Sequence, residues 1–451
     1  MKKKVLESSI LFVSIVKWLF LASCAGILVG VSTAVFLKTL EAGISFADGY
    51  RYYFIALPAV MVVSVLLVKY FAPQAEGHGT EKIIEAVHRH SGKINPLVVP
   101  VKLVATVITI AAGGSAGKEG PCAQIGAGLC STISDIFKFD DRDRKKMVIC
   151  GISAGFATVF GTPIAGAIFG VEVLFVGAML YDVLLPSFVA GIVGYQVSSA
   201  LGVAYFHEPL RFVPVFSSAL FIKVCISGLF FGLCSLIFIE MLRFFENTGS
   251  RMKFNKIYKA IAGGLVLVVL AFIFSTSYLG LGLETIKNAI EGDNVNSGAF
   301  ILKMIFTSIT LNFGGSGGIV TPIFFVGAAA GNTFGSLFGL DRSLFAAIGM
   351  VGLLAGAANT PISASIMAVE LFGPQIGPYA AVACIISFLL TGHRSVYPSQ
   401  ILALAKSSSI IVSKGQEMRG ISGVEFDVRP KSITGGIAEG IKKIRKGGKK
   451  S

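Results

Sequence analysis

The feature that most constrains this chain is a break inside an apolar region. Gly113-Gly114-Ser115-Ala116-Gly117-Lys118-Glu119-Gly120-Pro121 sets four glycines, a proline, a lysine and a carboxylate amid residues suited to a bilayer. A bilayer core offers opened backbone no water, so such a break survives only if protein buries it or it lines an aqueous cavity. An ionisable residue at that depth marks a functional site by default. The segment has a counterpart with the same spacing, Gly314-Gly315-Ser316-Gly317-Gly318-Ile319-Val320-Thr321-Pro322.

The surrounding composition supports the bilayer reading. Of 451 residues 54% are hydrophobic and only 14% charged, where soluble domains carry about 25% charged residues. Apolar runs over 9–38, 52–72, 98–137, 147–205, 213–246, 257–282, 299–340 and 342–391 imply on the order of 10 to 14 membrane segments of uneven length. We read an all-α polytopic protein of the lipid bilayer with a lead at 1–7, membrane repeats at 8–205 and 206–405, and a basic tail at 406–451. The first helix is expected to end near Leu37 ahead of a polar loop through Arg51, and 283–298 is read as another polar loop.

The net charge of +14 does not indicate nucleic acid. Its cations crowd the ends, at Lys2 to Lys4 and from Lys431 to Lys450, as the positive-inside rule requires of cytoplasmic segments. Both termini are therefore placed in the cytoplasm and the protein in the cytoplasmic (inner) membrane. Seven scattered cysteines without C-x-x-C spacing indicate neither a disulfide framework nor a zinc site, and no cofactor is expected. Lys2 to Lys4, an apolar run and Leu21-Ala22-Ser23-Cys24 imitate a lipoprotein signal. Lys17 interrupts the run, however, and apolar residues continue to Phe36, so a first membrane helix is preferred.

The chain is internally duplicated. Gly113, Gly114, Ser115, Gly117, Pro121, Gly126 and Ala127 align without gaps on Gly314, Gly315, Ser316, Gly318, Pro322, Gly327 and Ala328, at offset 314 − 113 = 201. Thr162-Pro163-Ile164 with Val171-Glu172 matches Thr360-Pro361-Ile362 with Val369-Glu370, at offset 361 − 163 = 198. Interrupted segments at corresponding places in two membrane halves point to a transporter's binding site. The repeats themselves do not say whether the halves are inverted or parallel.

A helix starting inside the membrane leaves its first amide hydrogens without acceptors, and these donors with the helix dipole form an anion site. Glycine lets backbone approach an ion, and proline suits a first turn. Gly117 to Pro121 and Gly318 to Pro322 thus read as two helix N-termini facing one anionic substrate. Glu119 resembles that substrate: ionised it can occupy an anion position, and protonated it can leave. Burial favours its neutral form while aligned amides and Lys118 favour the carboxylate, so an acid here can couple anion passage to protons. The plainer reading is a carboxylate capping its own helix.

Gly117-Lys118-Glu119-Gly120-Pro121 resembles the G-(R/K)-E-G-P signature of the CLC chloride channels and transporters. Gly317-Gly318-Ile319-Val320-Thr321-Pro322 is similar to that family's G-G-x-F-x-P, and Tyr397 matches its anion-binding tyrosine. The resemblance spans about residues 15 to 403. It implies a homodimer with a pore in each subunit, each subunit built from two inverted-topology repeats of tilted and broken helices. It implies Glu119 as the gating, proton-handling glutamate. The anion sites would be lined around Gly117, Lys118, Gly120, Pro121, Gly318, Ile319, Val320 and Tyr397.

The chain departs from the pattern at three places, the first of which also loses the family's proline. The family's G-S-G-I-P loop is Gly77-His78-Gly79-Thr80-Glu81 here, so His78 takes the anion-binding serine's place. The inward glutamate of proton-coupled exchangers falls on Val173, and Glu172 beside it is read as structural. Val320 replaces a phenylalanine, leaving Phe324 and Phe325 as candidates for an aromatic lining. The resemblance implies halide transport, chloride first, with a fluoride/proton antiporter as the alternative. An intramembrane enzyme would need a second convergent acid or a Ser/His pair at depth, and neither is found. Glu119 directly after Lys118 excludes a Walker A loop, which needs Ser or Thr there. His88-Arg89-His90 is read as a solvated face, and Asp140-Asp141 with its neighbouring cations as a polar loop.

Overall fold

The computed structural model describes residues 2–205, 217–421, 425, 426 and 436. Most of the basic tail, all of it beyond 421 except 425, 426 and 436, and the junction at 206–216 lie outside the described residues. Eight helices form the first half: α1 (Lys2–Asp48), α2 (Leu57–Phe71), α3 (Thr80–Arg89), α4 (Val98–Ala111), α5 (Glu119–Ile136), α6 (Asp141–Phe160), α7 (Pro163–Glu172) and α8 (Leu184–Ala200). Eight more follow: α9 (Ser218–Arg251), α10 (Lys256–Ile273), α11 (Leu283–Glu291), α12 (Ala299–Asn312), α13 (Val320–Leu337), α14 (Arg342–Ala358), α15 (Pro361–Phe372) and α16 (Gly377–Thr391). The two series correspond helix for helix, and α4 matches α12 in length as α5 matches α13. These are inverted-topology repeats of full-length and broken helices.

Among the described residues seven helical segments are long and apolar enough to cross a bilayer, while α4, α7, α12, α14 and α15 are apolar but shorter. Burial sorts the long ones. The apolar window of α13 is 89% buried, against 28% for α10, whose remaining surface is apolar and outward-facing. Thus α13 sits in the protein core and α10 at the rim.

Glycine sets how closely the inner helices approach. A Cβ on Gly126 of α5 would lie 2.5 Å from the Gly151 carbonyl oxygen of α6, and Gly327 and Gly349 make the equivalent contact between α13 and α14.

Reciprocal polar bonds join the halves. Ser115 Oγ pairs with Thr307 Oγ1 at 3.0 Å, and Ser316 Oγ with Thr106 Oγ1 at 3.2 Å. The Ser115 amide donates to Thr310 Oγ1, and the Ser316 amide to Thr109 Oγ1. Glu172 accepts from the Ile362 and Ser363 amides that open α15; Glu370 accepts from the Ile164 and Ala165 amides that open α7. The structural reading of Glu172 is thereby given its partner. Buried Lys102 donates to the Ala75 and Gly77 carbonyls, and Lys303 does the same for Tyr278 and Gly280.

Several local expectations are corrected. Helix α1 runs on to Asp48 instead of stopping near Leu37, because Leu40 stays buried while Lys38, Thr39 and Glu41 face outward. Polarity there marks a helix face, not an end. The expected loop at 283–298 contains α11, held between left-handed Gly282 and Gly292 with Ile286, Ala289 and Ile290 buried on one side. Asp140 is no loop residue but the N-cap of α6, accepting from the Asp143 amide at 2.8 Å. His88-Arg89-His90 is not simply solvated. His88 Nε2 lies 3.0 Å from the Leu174 carbonyl, and Arg89 pairs bidentately with Glu417 at 2.6 Å. The segment after Tyr397 returns to this region, where β1 (Phe175–Val176) pairs in parallel with β2 (Ile401–Leu402).

Candidate anion site at two opposed helix ends

The two broken segments meet. Gly117 and Gly318 form an antiparallel bridge, the Gly117 amide donating to the Gly318 carbonyl at 2.7 Å and the Gly318 amide to the Gly117 carbonyl at 2.6 Å. Helices α5 and α13 start two residues later on either side. Their first-turn backbones agree, with Lys118 at φ −102°, ψ −16° and Ile319 at φ −113°, ψ −14°. Each segment turns at a glycine of positive φ, Gly113 at 95° and Gly314 at 111°, where a side chain would be strained.

Glu119, buried at the first position of α5, crosses to the other helix. Its Oε1 accepts from the Thr321 amide at 2.7 Å, from the Thr321 hydroxyl, and from the Lys118 amide at 3.2 Å. The carboxylate therefore caps α13 as well as the start of its own helix. The capping alternative raised by the sequence is thus met in part, by the Lys118 amide, and the opposite half supplies the shorter bonds from Thr321. Carboxylate–amide bonds of this kind are roughly twice as strong as neutral ones. Side chains on Gly117 or Gly318 would run into the Glu119 carboxylate, so the two glycines form its cradle. Glu119 Oε2 has no hydrogen-bond partner.

The loop before α3 closes one side. A Cβ on Gly120 would meet the His78 carbonyl oxygen and lie 3.1 Å from Gly318 Cα. The His78 ring lies 5.8 Å from the Tyr397 ring, centroid to centroid. His78 Nδ1 is buried without a partner, and so is the Tyr397 hydroxyl, which faces Thr80. Three unpartnered polar atoms on Glu119, His78 and Tyr397 thus gather around two helix ends. Desolvated polar groups without partners are costly, and three of them at the two helix ends fit a place that receives a polar ligand.

Gly117, Gly120, Gly318, Ile319, Val320, His78 and Tyr397 therefore assemble around Glu119, and Pro121 is buried in the first turn of α5. Lys118 differs. Its backbone serves the site, while its half-buried ammonium group is in electrostatic reach of Glu41 on α1 as well as Glu119. Phe324 is buried with its ring 4.9 Å from that of Phe160, and Phe325 packs against Tyr278 instead. A cavity of about 860 Å³ opens beside the site, with His78, Glu81, Ser316, Val396 and Arg419 among its walls.

Sequence reasoning missed Thr321, which supplies two donors to Glu119 from a position the motif leaves free. It also missed Gln400, whose side chain bonds the Val173 and Ala358 carbonyls and so holds the Tyr397 loop. The polar run Ser395 to Gln400 at the end of an apolar region was the available signal.

Two opposed, interrupted helices that begin beside a buried acid are the arrangement of a membrane transport site. This chain belongs to the voltage gated chloride channel family, whose profile matches residues 59–392. It is 36% identical over 400 residues to a chloride/fluoride channel protein of Pseudomonas syringae pv. tomato, covering 87% of this chain and 88% of that one. It is 26% identical over 402 residues to the voltage-gated ClC-type chloride channel ClcB of Shigella flexneri, covering 85% and 92%. Among solved structures it is similar to a CLC-type fluoride/proton antiporter, with TM-score 0.82 and 27% identity over 85% of this chain and 98% of the other. A slow cyanobacterial Cl−/H+ antiporter shares the fold at TM-score 0.73 and 21% identity, over 83% and 94%.

Proposed function

We propose that the protein moves halide ions across a membrane past a gate formed by Glu119, and that protonation of Glu119 releases the gate. The observation that carries this reading is that a carboxylate from one half occupies the N-terminus of the other half's helix. An anion arriving there needs the same donors, so acid and anion exclude one another unless a proton neutralises the acid. Gly117, Lys118, Gly120, Pro121, Gly318, Ile319 and Val320 supply backbone to the anion sites, and Tyr397 and His78 supply polar side-chain atoms. The working unit is a homodimer of the cytoplasmic membrane with both termini on the cytoplasmic side.

Chloride is the first substrate to test. Fluoride is the second reading, supported by the likeness to a fluoride/proton antiporter and by the hydroxyl of Thr321 at the gate. Fluoride, small and a strong hydrogen-bond acceptor, gains more from hydroxyl donors than chloride does. The test is flux from liposomes under chloride or fluoride gradients, with anion and pH recorded together. Proton movement locked to anion movement and lost in Glu119→Gln is the expected result. Equal flux and coupling in that variant would refute the gate.

A further inference from the structure

Among the described residues three carboxylates are buried: Glu81, Glu119 and Glu172. Both oxygens of Glu172 are taken by the amides opening α15. Glu81 has a different setting. It lies on α3, which is neither long nor apolar enough to span, and it lines the cavity of about 860 Å³ beside the gate. Its Oε1 accepts from the Ser399 hydroxyl at 2.6 Å and the Ser399 amide at 3.0 Å, with Arg419 Nη2 3.4 Å away. Its Oε2 receives only a longer bond of 3.3 Å from the Ser399 amide.

The repeat sharpens the point. Gly77 and Gly79 before α3 correspond to Gly280 and Gly282 before α11, all four at positive φ. Glu81 then corresponds to Glu284, at 284 − 81 = 203 = 282 − 79. Glu284 is exposed. Only the first half turns this acid inward, toward Tyr397, which is within electrostatic reach of both Glu81 and Glu119. The unpartnered Tyr397 hydroxyl and His78 Nδ1 belong to neighbouring rings, 5.8 Å apart centroid to centroid.

We propose that Glu81 is the proton-exchanging carboxylate on the cavity side of the gate. Its carboxylate takes a proton from cavity water and, as the acid, returns it inward through water and the Tyr397 hydroxyl to the Glu119 carboxylate. The proton alone moves, and each acid in turn becomes a carboxylate. The charged and titratable groups facing Glu81 are Lys82 and Arg89 on its own helix, Arg419 from the returning segment, and His78 and Tyr397 beside it. Burial pushes its carboxyl up to about 7, against the opposing pull of Ser399, Arg419 and Lys82.

This inference rests on Glu119 as the proton-dependent gate, and the test separates the two. Wild type, Glu81→Gln, Glu81→Asp, Ser399→Ala and Glu119→Gln are reconstituted in liposomes, and protons moved per anion are measured. Glu81→Gln is expected to lower that ratio about tenfold or more, while Glu81→Asp and Ser399→Ala keep most of it. A purely structural Glu81 would make Glu81→Gln and Ser399→Ala alike, both lowering proton and anion flux together, and that result overturns the proposal. So does a wild-type ratio in Glu81→Gln. Coupling that persists in Glu119→Gln, or is absent from wild type, defeats the gate and this inference with it. If Glu81→Gln does not fold, Arg419→Gln serves instead. Loss of the guanidinium favours the neutral acid, so the pH midpoint of coupled flux rises; an unmoved midpoint refutes the proposal.

Discussion

The segments that open α5 and α13 share one backbone and carry different chemistry. At offset 201, Gly117 matches Gly318 and Pro121 matches Pro322, but Lys118 matches Ile319, Glu119 matches Val320, and Gly120 matches Thr321. Duplication supplies two helix N-termini bridged through Gly117 and Gly318. Divergence then places the acid on one end and its hydroxyl donor on the other. The proposed gate depends on this asymmetry: a carboxylate on each end would repel its twin, and none would leave the site without a titratable blocker.

The largest expected effect comes from moving the acid across the pseudo-two-fold axis. In the double variant Glu119→Val with Val320→Glu, the new carboxylate faces Gly120, which has an amide but no hydroxyl. Gly120 cannot be given one, since any Cβ there meets the His78 carbonyl. Loss of a hydrogen bond to a charged group costs about 1.5–3 kcal/mol, so the transplanted acid should be held at least about tenfold more weakly and the proton-to-anion ratio should fall well below wild type. Restored coupling in reconstituted vesicles would mean that the two ends are interchangeable.

Thr321→Val tests the donor while keeping the acid. The amide bond to Glu119 remains and the hydroxyl bond goes, so the gate is held more weakly by about 1.5 kcal/mol. Anion flux at neutral pH should rise, at most about tenfold, with the proton-to-anion ratio falling. An unchanged flux would show that the amide alone sets the closed state.

How far this arrangement could be read from sequence depends on whether a contact leaves a local trace. The break, the duplication, Glu119 and Tyr397 left such traces, because glycine, proline and charge are conspicuous in apolar surroundings. Thr321 left none. It sits 202 residues from the acid it serves, and a threonine at the second position of a helix is unremarkable. Glu81 was hidden at the end of the Gly77-His78-Gly79-Thr80-Glu81 loop, where His78 drew the reading. The pairing of Arg89 with Glu417 crosses 328 residues, and no periodicity reports a contact of that range. The outward-facing polar residues of α1 misled in the opposite direction, since a solvated face and a loop have the same composition.

The glycine contacts between adjacent helices should behave alike in the two halves. Gly126→Ala forces a methyl against the Gly151 carbonyl, and Gly327→Ala forces one against the Gly349 carbonyl. Overpacking of this kind costs about 1–3 kcal/mol. Thermal unfolding in detergent should show similar losses for both variants. A tolerated substitution in one half alone would mean that the pseudo-symmetry does not extend to packing.

The smallest effect expected is at the reciprocal caps. Glu172 and Glu370 each hold the amides that open the other half's short helix, but Glu172 is buried whereas Glu370 is partly exposed. A glutamine keeps one carbonyl acceptor and turns the other oxygen into a donor aimed at an amide hydrogen. Cap losses run to about 0.5–2 kcal/mol, and the buried member has no water to replace the lost bond. Glu172→Gln should therefore lie near the upper end of that range and Glu370→Gln near the lower end, read as the difference between their unfolding midpoints. Equal shifts would mean that water reaches both caps, and a larger shift for Glu370→Gln would reverse the assignment of which half is the more tightly closed.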